Sequence, residues 1–313
     1  MNTSKPQAAA SSPALTLQEN GENTIQRISA RHAEVGGIPI NRLMPSRQRR
    51  TIGAWCFLDH AGPAQFAPGA GMRVGPHPHI GLQTFTWMIK GEVLHRDSLG
   101  NEQIIRPGQV NLMTAGRGIA HTEESLSTED TLHAAQLWIA LPPEASACAP
   151  AFEHHPNLPS WSTDGCDFTL LAGSYNTHHA PARLYSPLVG MDLFSTMGAD
   201  IHLPLNPEFE YGLLMLEGQA EINKQRFAID ELAYLGHSNT QLHLQLSPGS
   251  RAILLGGEPC TEEILIWWNF VGHSKAEIAQ AQHDWEAGNE RFGAISGYDG
   301  PRLTAPPLPW SGL

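Results

Sequence analysis

Two pairs of potential metal ligands lie about forty residues apart: His77 with His79 in the run HPH, and His121 with Glu123 in the run HTE. Within each pair the residues are two apart, and on a β-strand the side chains at positions i and i+2 leave the same face of the sheet. One strand can therefore direct both groups of a pair toward one point. Two such strands facing each other inside a barrel would form a pocket of four ligands.

Three imidazoles and one carboxylate form a donor set that suits iron, manganese, cobalt, nickel, copper or zinc and discriminates poorly among them. Four protein ligands leave two positions of an octahedron open. An open position is what a catalytic site needs in order to admit water, dioxygen or a chelating substrate. The spacing therefore predicts a catalytic metal site rather than a closed structural one.

The other close histidine pairs are weaker candidates, because a chain with 16 histidines contains some close pairs by chance. His154 with His155 and His178 with His179 are adjacent residues, whose side chains point to opposite faces of a strand. Such pairs are poorly placed to chelate one ion. We interpret them as solvated loop residues.

The strand that follows HPH supplies the predicted pocket walls. Continuing the same alternation from His79 places Gln83, Phe85 and Trp87 on the inward face. The pocket would then be mostly apolar, with one amide, and would fit an aromatic substrate. The alternative is that Phe85 and Trp87 only fill the barrel core, and for Trp87 we prefer it.

Short strand-like runs separated by glycine turns recur through most of the chain. LQTFTWMIKGEVLHRD is typical of two strands joined by a turn, and RPGQVNLMT and TLHAAQLWIAL add further strands. Charged residues are only 16% of the chain, which has 30 Gly and 24 Pro, a balance that favours short strands and tight turns over long helices. The pattern predicts an all-β protein built as a sandwich or small barrel.

A second module follows the first. Its run EYGLLMLEGQAEINKQRFAIDELAYLG repeats the strand and turn order of TFTWMIKGEVLHRDSLGNEQIIRPGQVNLMT but lacks an HxH pair. Ser274 as N-cap with Glu277 three residues later predicts a helix over 274–290. The predicted division is a flexible tail (1–24), a metal-binding domain (25–145), a linker (146–160) and a second domain without the metal site (161–313).

Composition excludes several classes of protein. The net charge of −12 argues against a broad phosphate-binding surface, and we interpret Arg47, Arg49 and Arg50 as a solvated patch. The four cysteines show no CxxC spacing, as expected of reduced thiols in the cytoplasm. The chain has neither a signal-peptide pattern nor an apolar run of about 18 residues, so we expect no export and no membrane contact.

Five runs in order, GPHPHIGLQTFT, GEVLHRDSLGN, RPGQVN, MTAGRGIAHTE and ILLGGEP, closely resemble the pirin family. The resemblance extends from about residue 25 to Gly293. It implies two cupin (double-stranded β-helix, jelly-roll) barrels face to face, with a metal only in the first, bound by His77, His79, His121 and Glu123. One departure is Gln83, where many pirins and most cupins carry Glu, which bears on any support that this Glu gives to the ligands.

The resemblance also implies an activity. Characterised pirins look like Fe(II) proteins, and several have quercetin 2,3-dioxygenase activity, in which dioxygen opens the heterocycle of a flavonol with loss of carbon monoxide. Glu123 would then both ligate the metal and take the flavonol proton, provided that it swings away from the metal. The expected partners are a small aromatic substrate and O2, and a monomer is expected because a face-to-face bicupin already buries the surface that single cupins use to dimerise.

Two alternatives remain open from the sequence. One is a non-enzymatic, iron-dependent redox sensor that binds a protein partner, as proposed for nuclear pirin in animals. It needs a basic or apolar patch near the metal, and the acidic chain offers only Arg47, Arg49, Arg50 and Arg73 close to it in sequence. The other is a metal-dependent cupin isomerase, which needs a polar sugar pocket, and the apolar strand after HPH argues against that.

Overall fold

The computed structural model describes residues 25–67, 70–126 and 130–310, so the predicted tail 1–24 lies outside the described residues. In the described chain, 25 β-strands accompany one α-helix and one short 3-10 helix. The strands form two barrels, each made of a long and a short antiparallel sheet. The predicted all-β, two-barrel fold is therefore confirmed.

The first barrel has a seven-stranded and a four-stranded sheet. Its strands are β2 (Arg31–Val35), β3 (Ile38–Met44), β4 (Trp55–Gln65), β5 (Arg73–His79), β6 (Leu82–Lys90), β7 (Val93–Asp97), β8 (Glu102–Ile105), β9 (Val110–Thr114), β10 (Ile119–Ser125), β11 (Thr131–Ala140) and β12 (Ala151–His155). The long sheet has the order β12-β9-β6-β11-β4-β3-β2, and the short sheet has the order β5-β10-β7-β8. Both predicted ligand pairs therefore lie on neighbouring strands of the short sheet.

The second barrel repeats this plan. Its strands are β1 (Gln26–Ser29), β13 (Ser160–Thr163), β14 (Cys166–Tyr175), β15 (His178–His179), β16 (Leu188–Ser195), β17 (Ala199–Pro204), β18 (Glu210–Glu217), β19 (Gln219–Ile222), β20 (Gln225–Ala228), β21 (Glu231–Gly236), β22 (Gln241–Leu246) and β23 (Ser250–Gly257). The sheets run β1-β21-β18-β23-β16-β14-β13, with β15 on β14, and β17-β22-β19-β20. The sequence echo corresponds to β6 to β9 in the first barrel and β18 to β21 in the second.

The strands that lead into each barrel pair with the other barrel. β1 precedes the first barrel along the chain but pairs with β21 of the second. β12 lies inside the predicted linker 146–160 and pairs with β9 of the first barrel. The pairing of β12 was not visible in the sequence, because every residue of β12 is half-buried and its sequence shows no alternation. The division into domains at 25–145 and 161–313 stays a proposal. By these pairings β1 would be assigned to the second domain and β12 to the first.

The two long sheets pack face to face around a shared apolar core. Trp55 lies at its centre, with no exposed surface. Its indole Nε1 donates to the carbonyl oxygens of Val189 and Gly256 in the second barrel, both at 3.3 Å. Gly190 leaves room for the ring, because a Cβ there would lie 3.1 Å from it. Trp55 therefore joins the barrels by packing and by hydrogen bonds.

The C-terminal segment returns to the first barrel and covers the back of the ligand strands. A hairpin of β24 (Leu265–Trp267) and β25 (Phe270–Gly272) precedes helix α1 (Lys275–Glu286) and the 3-10 helix Glu290–Phe292. The hydroxyl of Ser274 accepts from the backbone N–H of Glu277, as the capping pattern predicted. Buried residues of α1 pack against Ile80 and Ala120, which belong to the ligand-bearing sheet region: Ile278, Ala281 and Trp285.

The helix predicted over 274–290 ends earlier, at Glu286, and Gly288 follows with a φ of 69°. A left-handed glycine just beyond the last turn is a common way for a helix to end. Within the described ranges, no helix is long and apolar enough to span a membrane.

Gly81, between β5 and β6, allows the hairpin to approach the ligand strand. Its φ is 66°, and a Cβ there would lie 2.2 Å from the carbonyl oxygen of Val271. We expect Gly81→Ala to lower the free energy of unfolding by about 3 kcal/mol, from backbone strain and displacement of the hairpin. Gly100→Ala is the matched control, because Gly100 has a φ of 89° and no neighbour within 4 Å of the added Cβ. Equal losses for the two variants in urea denaturation would show that the hairpin contact is unimportant.

Candidate metal centre

Three of the four predicted ligands come together where β5 and β10 pair. The antiparallel register sets His121 opposite His77, and Ile119 opposite His79. All three imidazoles are buried, and one nitrogen of each lies within 4.8 Å of the others. Nε2 of His79 lies 3.1 Å from Nε2 of His121. The spacing of two on β5 and the pairing of β5 with β10 therefore produce one convergent group of nitrogen atoms.

Glu123 lies farther along β10, beyond an irregularity in the pairing. The register shifts between His121 and Glu123, so that Glu123 lies opposite Val74. Its half-buried carboxylate lines the same cavity as the imidazoles but is not part of the group within 4.8 Å. Burial raises the pKa of this carboxyl group. In the described chain the carboxylate makes no hydrogen bond or ion pair, so it is free to turn toward the imidazoles.

The backbone holds two of the imidazoles in the tautomer that a metal requires. Nδ1 of His77 lies 2.9 Å from the carbonyl oxygen of Gly75, and Nδ1 of His79 lies 2.9 Å from that of Asn269. A carbonyl oxygen only accepts, so each Nδ1 must carry the hydrogen and donate it. Nε2 of each ring keeps a free lone pair. Asn269 comes from the turn of the C-terminal hairpin, which therefore orients a ligand on β5.

A polar chain holds the third imidazole in the same state. Nδ1 of His121 lies 3.3 Å from Nδ1 of His95, and Nε2 of His95 lies 3.2 Å from Oδ2 of Asp97. Burial opposes ionisation of Asp97, but hydrogen bonds from His95 and Asn101 lower its pKa. The ionised carboxylate accepts from His95, whose Nδ1 then accepts from His121. Phe152 of β12 stacks on the His95 ring at 4.4 Å and fixes its plane.

Burial also keeps the three imidazoles neutral. Desolvation lowers the pKa of His77 to about 4, and the hydrogen bond to Gly75 only partly opposes this. The pKa values of His79 and His121 also lie well below their ordinary value, because of burial and then because of the neighbouring imidazoles. Near neutral pH each ring therefore offers a lone pair without first losing a proton.

The residues fit a divalent transition metal. Two nitrogen ligands at a right angle, each about 2.1 Å from an ion, would lie roughly 3.0 Å apart. The observed 3.1 Å between His79 and His121 is close to that spacing. Imidazole nitrogen with a carboxylate oxygen nearby is also the donor chemistry that iron and its neighbours accept. The role of these four residues as ligands stays a prediction.

The imidazoles face a cavity of about 440 Å³, within the usual size range for small-molecule sites. Phe57 and Trp138 form one wall and stack on each other at 4.0 Å with an angle of 14°. Trp138 also meets the His79 ring edge-on at 5.2 Å. Trp268 from the hairpin and Leu303 from the C-terminal segment complete the apolar lining. The cavity fits a flat aromatic molecule.

The prediction that Gln83 and Phe85 line this cavity was wrong, whereas the preferred placement of Trp87 in the core is confirmed. The chain turns at Gly81 and passes from the short sheet to the long one, so the alternation counted from His79 does not continue into β6. Phe85 and Trp87 pack in the core between the barrels, as the core alternative held. The Gln83 side chain points away from the ligands, and its Nε2 donates to Thr114 Oγ1 and the Arg183 carbonyl oxygen, both at 2.9 Å.

The true cavity walls come from β4 and β11, which sequence reasoning did not connect with the ligands. The signal that was missed is the period-two pattern in WCFLDHAG and AAQLWIAL. In these runs Phe57 is two residues before Asp59, and Gln136 is two residues before Trp138, so each pair lies on one face of its strand. A polar and an aromatic side chain on the same inner face of a strand indicate residues that line a binding site rather than a hydrophobic core.

The second barrel holds apolar residues where the first holds its ligands. β17 and β22 correspond to β5 and β10, and their inward side chains are buried: Ile201, Leu203, Leu242 and Leu244. Among the described residues, one other group of potential ligands has been found, on the outer face of the same two strands: Asp200, His202 and His243. It is largely exposed and faces no aromatic cavity. The catalytic candidate is therefore the centre in the first barrel.

The link from His95 to His121 can be tested directly. We expect His95→Phe to weaken metal binding about 10- to 100-fold, because His121 loses the acceptor that holds its tautomer and orientation. Phenylalanine retains the stacking on Phe152. The affinity would be measured by competition with a chromogenic chelator, alongside circular dichroism as a check of folding. An unchanged dissociation constant in a folded variant would contradict this role of His95.

Comparison with known proteins identifies relatives across almost the whole chain. The family model described as Pirin matches residues 37–139, and that of the Pirin C-terminal cupin domain matches residues 190–293. A Pseudomonas aeruginosa protein named "Putative quercetin 2,3-dioxygenase PA1205" is 64% identical over 293 residues, which cover 93% of each chain. A "Pirin-like protein" of Caulobacter vibrioides is 36% identical, over 84% of this chain and 93% of its own length.

Solved structures agree with the fold. The crystal structure of a quercetin 2,3-dioxygenase from Acinetobacter baumannii has a TM-score of 0.90 and 50% identity, and the match covers 92% of this chain and 97% of that one. The Escherichia coli pirin YhhW in complex with nickel(II) has a TM-score of 0.60 at 20% identity, over 76% of this chain and all of that one. The second likeness supports the two-barrel architecture alone.

Proposed function

Since the chain belongs to the pirin family, we propose that it is a metal-dependent dioxygenase of the quercetin 2,3-dioxygenase type, which cleaves a flavonol or a related enolic aromatic with O2. The observation that carries the proposal is the set of three neutral imidazoles that present Nε2 to an aromatic-walled cavity. The names of the Pseudomonas and Acinetobacter relatives support the same reaction class.

The proposed ligands are His77, His79, His121 and Glu123, and the proposed ion is Fe(II), although manganese, cobalt, nickel, copper and zinc also suit the donors. When bound, the ion supplies the Lewis-acid and redox chemistry that reaction with dioxygen requires. The barrel supplies the imidazoles already neutral and oriented. Little reorganisation is then needed on binding the metal.

Glu123 is the proposed base. Its carboxylate lines the cavity and forms no hydrogen bond or ion pair with the described residues, although His95 partly opposes the rise in its pKa that burial causes. It can therefore accept the proton of the flavonol 3-hydroxyl, which breaks that O–H bond and leaves the enolate in the cavity. Trp138, with Phe57 stacked behind it, would contact the substrate rings and exclude water from the enolate.

The proposal includes a monomer in the cytoplasm. The two long sheets already cover each other through the shared core around Trp55, so the sheet face that a single barrel would leave open is used within the chain. Light scattering coupled to size-exclusion chromatography would then give a mass near 34.1 kDa. A stable dimer would contradict that part of the proposal and leave the reaction untouched.

Activity is tested with iron-loaded protein, an oxygen electrode and carbon monoxide detection. We expect quercetin to drive oxygen uptake with carbon monoxide release in equal amounts. Glu123→Gln keeps the size of the side chain but removes its basicity, and we expect turnover to fall about 100-fold or more. Iron-loaded protein that consumes no oxygen with quercetin or with a panel of related catechols and enols would refute the proposal.

A further inference from the structure

A row of polar side chains crosses the cavity face of the long sheet in the first barrel. The strand registers set Arg42 on β3 opposite Asp59 on β4, and Asp59 opposite Gln136 on β11. Gln136 lies in turn opposite Thr86 on β6. The rows on either side are uncharged: Phe57 with Trp138, and Ala61 with Ala134. Four polar residues in register on the inner face of a barrel are costly unless their polar atoms are hydrogen-bonded.

Asp59 holds the Arg42 side chain in one orientation. Its two oxygens accept from Nε and Nη2 of Arg42, at 2.8 and 2.7 Å. The guanidinium also lies over the Phe57 ring, 4.6 Å from its centre. Bidentate pairing and stacking leave the guanidinium little freedom. Nη1, the remaining nitrogen, makes no hydrogen bond to any of the described residues.

Thr86 holds Gln136 in a comparable way. Its hydroxyl donates to Oε1 of Gln136 at 2.8 Å, which leaves Nε2 as the free end. Nε2 has no hydrogen-bond partner in the part of the chain that the structure describes. Arg42 and Gln136 both line the cavity that contains the imidazoles. The cavity therefore presents two oriented donors, on a different wall from the ligand group.

Both free groups only donate hydrogen bonds, so they select an acceptor. The enol and keto oxygens of a flavonol are the atoms suited to the metal, which leaves these donors for an oxygen elsewhere on the molecule. We propose that Arg42 and Gln136 form a specificity subsite that binds an oxygen on the substrate ring remote from the metal-chelating group. This inference rests on the proposed function and narrows the substrate class to enolic aromatics with such a remote hydroxyl or phenolate.

Equilibrium binding separates this subsite from catalysis. The probes are 3-hydroxyflavone, which carries only the chelating oxygens, and 3,7- and 3,4′-dihydroxyflavone, which add one remote hydroxyl at either end. Dissociation constants would be measured from flavonol absorbance without oxygen, on nickel-loaded full-length protein. We expect at least one dihydroxyflavone to bind about tenfold or more tightly than 3-hydroxyflavone, because a site built to hydrogen-bond a group discriminates against its absence.

Gln136→Leu should remove this preference. We expect the dissociation constant of the preferred dihydroxyflavone to rise about tenfold, while that of 3-hydroxyflavone stays within twofold of the wild-type value. Gln136→Met preserves side-chain length and serves if the leucine variant does not fold. Thr84→Val is the matched control, because Thr84 lines the cavity in the aromatic row and lies outside the polar row. It should retain the preference.

The outcomes distinguish this inference from the function on which it rests. If wild-type protein binds all three flavonols equally, or if the Gln136 variants keep the preference, the subsite is refuted and the dioxygenase proposal stands. If no flavonol binds the wild-type protein at all, the proposed function fails and the subsite fails with it. A preference that Thr84→Val abolishes as strongly as Gln136→Leu would also refute a role specific to the polar row.

Discussion

His121→Ala is expected to lower metal affinity by more than about 100-fold and to abolish oxygen uptake with quercetin. Removing a partner that only orients a ligand typically costs about 10- to 100-fold, and removing the ligand itself should cost more. The Nε2 atom of His121 lies 3.1 Å from that of His79. Metal content after gel filtration would be measured by elemental analysis, and the dissociation constant by chelator competition.

The matched control for this prediction is His243→Ala. His243 belongs to the other group of potential ligands, on the outer face of the second barrel. If the first barrel alone holds the functional ion, the control retains one metal per chain and full activity. A His121→Ala variant that keeps its metal, or a His243→Ala variant that loses it, would contradict the assignment of the centre.

Trp55→Ala is expected to lower the free energy of unfolding by about 3–5 kcal/mol, the usual cost of emptying a large aromatic site in a core. The ring is fully buried, meets Phe85 edge-on at 5.5 Å and donates to two carbonyl oxygens of the second barrel. Alanine would leave a cavity between the barrels and two carbonyl oxygens without that donor. The measurement is urea denaturation followed by circular dichroism.

Trp161→Ala is the control for this prediction. Trp161 is half-buried on β13, at the edge of the second barrel, and stacks on Phe168 and His178. We expect its loss to cost less than half as much, because solvent fills the space. We also expect Trp55→Ala to broaden the transition, since the barrels would no longer unfold together. A loss below about 1 kcal/mol for Trp55→Ala would refute its role in joining the barrels.

The ligand pairs were predictable because their geometry is local. His77 and His79 lie on one strand, and their spacing of two places them on the same face of it, independently of the rest of the chain. The pirin resemblance implied that the two pairs bind one metal, but the sheet order that makes β5 and β10 paired neighbours was not predicted. The helix cap at Ser274 was predictable for the same reason, since it depends on contacts three residues apart.

The cavity walls could not be predicted from the alternation of side chains, because the turn at Gly81 changes which residues of β6 face the cavity. Gly81 turns the chain from one sheet into the other, and a one-residue error in phase exchanges the two faces of β6. Gln83 was therefore assigned to the pocket, although it lies between the barrels. The polar row was missed for another reason: its members lie on four strands far apart in sequence, and only the register brings Arg42 and Gln136 onto one surface.

A single metal centre in the first barrel is tested most directly by anomalous diffraction from crystals of nickel-loaded protein. The expected map has one strong peak inside a barrel, about 2.0–2.2 Å from Nε2 of His77, His79 and His121 and from an oxygen of Glu123. The apolar interior of the second barrel should show none. A peak bound through Nδ1, a peak away from these histidines, or an empty first barrel would contradict the account.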